Sequence, residues 1–222
     1  MPATLWTASN RHRASAVVLG LLLALTAGQA QITPANAART IDPGEVSHPE
    51  RRVAVFVPPM LFDEEVFQFV HRTLVHARWR PVIVGADTGI ASGYANTVVR
   101  PELDRSGLVP DDFAALVLVG GSGAVLHWQD STLHAAVRGF VAAGKPVAAN
   151  GLAVTILARA GVLEGRRAAF YRESGAPELI TAHDARFVFT PVVTDGNIVT
   201  AAGPDTERRF AAALVAALGP RK

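Results

Sequence analysis

Lys145–Arg166 reads KPVAANGLAVTILARAGVLEGR, and the fold turns on how this stretch is parsed. Pro146–Ala149 is a short apolar run suited to a strand buried on both faces. It breaks at Asn150-Gly151, and an apolar pattern at helical spacing restarts at once over Leu152–Ala160. Strand, sharp turn and helix in immediate succession form the arrangement of a nucleophile elbow, which holds one residue in a strained conformation at the carboxyl edge of a sheet.

The same alternation extends outward. Val53–Val57 is a β-branched run that predicts a strand, and Asp63–His76 follows with Val66, Phe67, Phe69, Val70 and Leu74 at helical spacing. Pro81–Val84 and Ala115–Val119 predict two more strands, with irregular sequence and a short hairpin expected over Ala86–Pro110. Ser131–Ala143 predicts a helix ending at Gly144, and Arg167–Tyr171 a further strand. Asp195-Gly196, between VVT and NIVT, is a hairpin signal of the type I′ kind. Gly203-Pro204-Asp205 opens a last helix, Thr206–Leu218, with Pro at an early helical position. Strands separated by helices imply an α/β three-layer sandwich with a mostly parallel sheet. Ligands bind such sheets beyond the carboxyl ends of the strands, where Pro58–Met60, Gly120–Ser122 and Asn150–Gly151 fall.

Composition bounds the rest. The chain has 222 residues, 50% of them hydrophobic and 18% charged, enough for one substantial core. Arg11-His12-Arg13, the apolar Ala16–Ala27, and small-residue sites at Gly28-Gln29-Ala30 or Ala35-Asn36-Ala37 form a leader pattern. Residues 1–37 are therefore expected to be a Sec-type signal peptide, with export to a periplasm or the exterior. Residues 38–50 would be a linker and 51–220 the domain. The apolar core is shorter than the roughly 20 residues a spanning helix needs, so membrane attachment would come only through an uncleaved leader. Without Arg11 and Arg13, 19 Lys and Arg face 19 Asp and Glu. No basic stripe remains for nucleic acid. The absence of Cys suits an oxidising compartment. The scattered His residues, including His71 and His76 five apart, provide no metal-ligand spacing. No cofactor is expected.

Four motifs in order over residues 51–218 carry a resemblance: FDEEVF (Phe62–Phe67), LVGGSGA (Leu118–Ala124), LARAGVLEGRRAAFY (Leu157–Tyr171) and PVVTDGNIVTAAGP (Pro191–Pro204). With the elbow stretch, they resemble the PfpI-type intracellular proteases of the DJ/PfpI superfamily. The resemblance implies a flavodoxin-like, class I glutamine amidotransferase-like fold and a homodimer. It places Glu65 at the family's glutamate and the backbone amides of the Gly-rich loop in Leu118–Ala124 at an oxyanion hole. Gly151 then stands at the nucleophilic cysteine, and Tyr171 near the strand end where some members place a His.

The family's thiol chemistry is thus expected to be lost, while glycine tolerates the elbow conformation without a Cβ clash. Asn150, an amide, is a poor nucleophile. Gly120-Gly121-Ser122-Gly123-Ala124 nearly matches G-x-S-x-G, but ends in Ala, and no spacing nominates His127, His134 or His183 as its base. Trp128 is expected to line the pocket. The leading expectation is a pseudoenzyme, a small-ligand or protein-binding module framed by Glu65, Gly121, Ser122, Trp128, Asn150 and Gly151. The alternatives are a hydrolase or glyoxalase-like enzyme using Glu65 and an activated water, and a protein-protecting or oligomeric structural role.

Overall fold

The structure, a computed structural model, describes residues 51–172 and 181–219. The leader at 1–37, the linker at 38–50 and residue 220 lie outside the described residues.

The central sheet has seven strands. Among the described residues, the strands of this and two smaller sheets are, in chain order, β1 (Arg52–Phe56), β2 (Met60–Phe62), β3 (Arg80–Gly85), β4 (Ala91–Gly93), β5 (Val98–Val99), β6 (Leu103–Asp104), β7 (Ala115–Leu118), β8 (Val147–Asn150), β9 (Arg167–Ala168), β10 (Arg186–Phe187), β11 (Val192–Asp195) and β12 (Ile198–Ala201). The sheet order is β11-β12-β8-β7-β1-β3-β6. All neighbours are parallel except β11 and β12, which pair antiparallel. Taken in sequence, the five principal strands β1, β3, β7, β8 and β12 stand in the order 2-1-3-4-5, the flavodoxin-like arrangement. Its switch point lies between β1 and β7.

Helices cover both faces. α1 (Glu64–His76) and the C-terminal α4 (Glu207–Leu218) cover one, α2 (Ser131–Ala142) and α3 (Val154–Arg159) the other. The period-2 alternation of strand side chains divides the core accordingly. Ala54 and Phe56 of β1 pack with Leu133, Val137 and Phe140 of α2, whereas Val53 and Val55 pack with Val66, Val70 and Leu74 of α1. This double coverage explains why β1, β7 and β8 are near-continuous apolar runs.

The sequence reading differs from the structure in three places. The expected strand Arg167–Tyr171 pairs only at β9, with β10, in a separate two-stranded ribbon. In the last hairpin, Asp195 pairs with Ile198, so the two-residue loop is Gly196-Asn197. Glycine at the first loop position suits a type II′ turn, not the I′ expected of Asp-Gly. Asp195 instead directs its carboxylate to the Arg167 amide at 2.9 Å. The last helix begins at Glu207, leaving Pro204 in the preceding turn, where Asp205 has φ +62°.

Candidate functional site

The chain leaves β1, β7 and β8 at the same edge of the sheet, and a cavity of about 270 Å³ opens there. Asp63, Gly121, Asn150 and Gly151 line it, together with Tyr94 from the β4–β5 turn and Tyr171 after β9.

Asp63 occupies its position because it begins a helix. Its Oδ1 accepts the Val66 amide at 3.1 Å, capping α1, and its own amide donates to the Gly120 carbonyl at 2.9 Å. Asn150 is fully buried at the end of β8. Its Oδ1 accepts the Gly120 amide at 2.8 Å, and its Nδ2 donates to Asp63 Oδ2 at 3.2 Å. A side-chain amide offers both an acceptor and donors, and here one serves the Gly-rich loop and the other the carboxylate. Asn150 therefore positions other groups. Burial pushes the Asp63 carboxyl above its ordinary 3.8, against the lowering effect of the Val66 and Asn150 hydrogen bonds; the charges of Glu65 and Glu207 add to the rise.

Gly151 keeps the elbow conformation, with φ +54°. A Cβ there would meet Gly203 Cα at 3.7 Å, an ordinary contact. Gly121, at φ +105°, is constrained by space instead: a Cβ would lie 2.2 Å from the Leu61 carbonyl oxygen.

Three expected site residues are placed elsewhere. Glu65 is exposed on α1 and does not line the cavity; it acts there only through its charge on Asp63. The helix phase puts the wall carboxylate two residues earlier, at the cap. Ser122 is exposed, and its amide donates to the Tyr94 hydroxyl, so the Gly-rich loop already holds an internal oxygen. Trp128 packs half-buried against the α2–α3 core and donates Nε1–H to the Leu152 carbonyl at 2.9 Å, bracing the elbow without lining the cavity. Sequence reasoning missed Asp63 and Tyr94. An Asp immediately before an apolar helical pattern is the signal that would have found the first. The second sits on a loop with no local signal.

No side chain lining the cavity among the described residues is a Cys, Ser, Thr, Lys or His. What remains is one half-buried carboxylate, two phenols and an amide already engaged on both sides. Such a set can bind, and the carboxylate can take up or release a proton.

The DJ-1/PfpI family model matches residues 51–217. The chain is similar to an uncharacterised protein of Methanocaldococcus jannaschii, 31% identical over 166 residues, covering 74% of this chain and 80% of that protein. It is also similar to a deglycase of Pyrococcus abyssi, 30% identical over 154 residues, covering 69% and 90%. Among solved structures, a ThiJ/PfpI domain protein from Brachyspira murdochii superposes with TM-score 0.74 at 26% identity, covering 78% of this chain and 98% of that one.

Proposed function

The chain belongs to the DJ-1/PfpI family, and from that premise we propose that its domain is an exported, non-catalytic module that binds a small ligand in the elbow cavity. In this reading Gly151 stands where the family's nucleophilic cysteine would. The observation that carries the reading is an intact elbow with no nucleophile: Gly151 at φ +54° faces a formed cavity whose described walls offer no reactive thiol, hydroxyl of Ser or Thr, or amine. The leader pattern at 1–37 supports export.

The chain contains no Cys, so Gly151→Cys introduces a single thiol at the elbow. A thermal-shift screen on this variant, before and after alkylation with N-ethylmaleimide, tests the reading. Ligands found on the wild type should bind the free-thiol variant and lose at least tenfold in affinity once the thiol is alkylated. Binding that survives alkylation would place the ligand elsewhere and overturn the reading.

A second reading has a specific observation behind it. Asp63 is a half-buried carboxyl with a raised pKa at the cavity wall, the environment that suits a general base acting on water, and the Pyrococcus abyssi relative is named a deglycase. Deglycation or glyoxal turnover by the wild type that disappears in Asp63→Asn would replace the non-catalytic reading with this one.

A further inference from the structure

A second, larger chamber of about 560 Å³ adjoins the elbow cavity, and Tyr171 and Pro204 line both. Its apolar wall is a run of phenyl rings. The Phe170 and Phe187 centroids are 4.4 Å apart and those of Phe187 and Phe189 4.3 Å apart. Phe189 is 75% exposed, with the Arg172 guanidinium 4.9 Å from its centroid. Tilted and edge-to-face aromatic rings along a chamber, running from the buried Phe170 to the exposed Phe189, resemble the lining of a small-molecule site, where apolar walls enclose roughly 300–1,000 Å³ with a few polar groups fixing orientation.

The charges separate the two spaces. The larger chamber has one charge of each sign, Arg172 and Asp205. The elbow cavity has Asp63 and, among its described lining residues, no Lys, Arg or His. Glu65 and Glu207 add negative potential at Asp63. An anionic group entering the elbow cavity would meet like charge with no cationic side chain among the described lining residues, whereas an ammonium would meet a carboxylate and two tyrosine rings, groups of the kind that recognise organic cations.

We infer that the two spaces are subsites of one cleft that takes an arylalkylamine, its ammonium against Asp63 beside Tyr94 and Tyr171, its ring among Phe170, Phe187 and Phe189. This inference rests on the binding reading above and assigns that site a ligand class. The elbow cavity selects positive charge, and the phenylalanine chamber selects an aromatic body.

Titration calorimetry of the purified protein with three probes tests it: phenethylamine, 3-phenylpropionate (the same ring and spacer with an anionic end) and n-butylamine (the same charge without the ring). Phenethylamine should bind at least tenfold more tightly than either of the others. Asp63→Asn and Phe189→Ala should each weaken phenethylamine at least fivefold; the first is isosteric, and the second trims an exposed ring. Equal or tighter binding of 3-phenylpropionate would overturn the inference, as would an affinity for phenethylamine indifferent to both substitutions. A neutral or anionic ligand whose binding is blocked by alkylating Gly151→Cys, with no amine binding, would also overturn it while leaving the binding reading standing.

Discussion

Gly121 and Gly151 both have positive φ, and the cost of replacing them differs in kind. At Gly151 an added Cβ has room, so Gly151→Ala pays only for the left-handed backbone, about 1–2 kcal/mol. At Gly121 the backbone of Leu61–Asp63 occupies that space, and Gly121→Ala must displace the segment leading into α1. We expect denaturant melts to show Gly151→Ala folded and modestly weakened, and Gly121→Ala weakened by about 3 kcal/mol or more. Equal losses at the two positions would contradict this account. Asp63 lends itself to a titration test. Its folded pKa lies above the unfolded value of 3.8, so the folded state holds the proton more tightly. The stability this contributes is fully present below pH 3.8 and is lost as pH rises through the folded pKa. Asp63→Asn removes the titration while keeping a residue able to cap the helix. The melting temperature of the variant relative to wild type should therefore climb from about pH 4 upward and level off above the folded pKa. A constant difference across that range would show that Asp63 is not perturbed.

Between elements, Asn150 links three structures that are distant in sequence: the end of β8, the Gly-rich loop after β7 and the cap of α1. Replacing it with alanine strands a buried Gly120 amide and removes a donor from the Asp63 carboxylate. Leaving buried partners unsatisfied costs about 1–3 kcal/mol per group. We expect Asn150→Ala to lose about 2–4 kcal/mol in a urea melt and to weaken any ligand of the elbow cavity, because the walls lose their common brace. A loss below about 1 kcal/mol would assign the bracing to the backbone contacts instead. Trp128, expected in the pocket, belongs to the same bracing system through its hydrogen bond to Leu152.

Across the whole molecule, legibility followed the range of the interactions. Strand and helix identities were readable because burial on both sheet faces writes local apolar runs and helical spacing into the chain. The elbow was readable too, since a strand, an Asn-Gly break and a helix are adjacent in sequence. The errors came where neighbours far along the chain decide. Arg167–Tyr171 is strand-like in composition, yet its strand pairing covers Arg167 and Ala168 alone. Asp195 was drawn out of the turn by pairing with Ile198 and by its bond to the Arg167 amide. Glu65 and Asp63 are two residues apart on one helix start, and only the packing of α1 against the sheet decides which faces the cavity. Tyr94 reaches the Gly-rich loop from 28 residues away. The sequence by itself therefore determined the layers, the strand-turn-helix elbow and the lack of a cysteine, all properties of local pattern and composition. Only the tertiary structure decided which carboxylate, which phenols and which rings share the cleft, because side chains from separate loops converge there through contacts that leave no periodic trace in the chain.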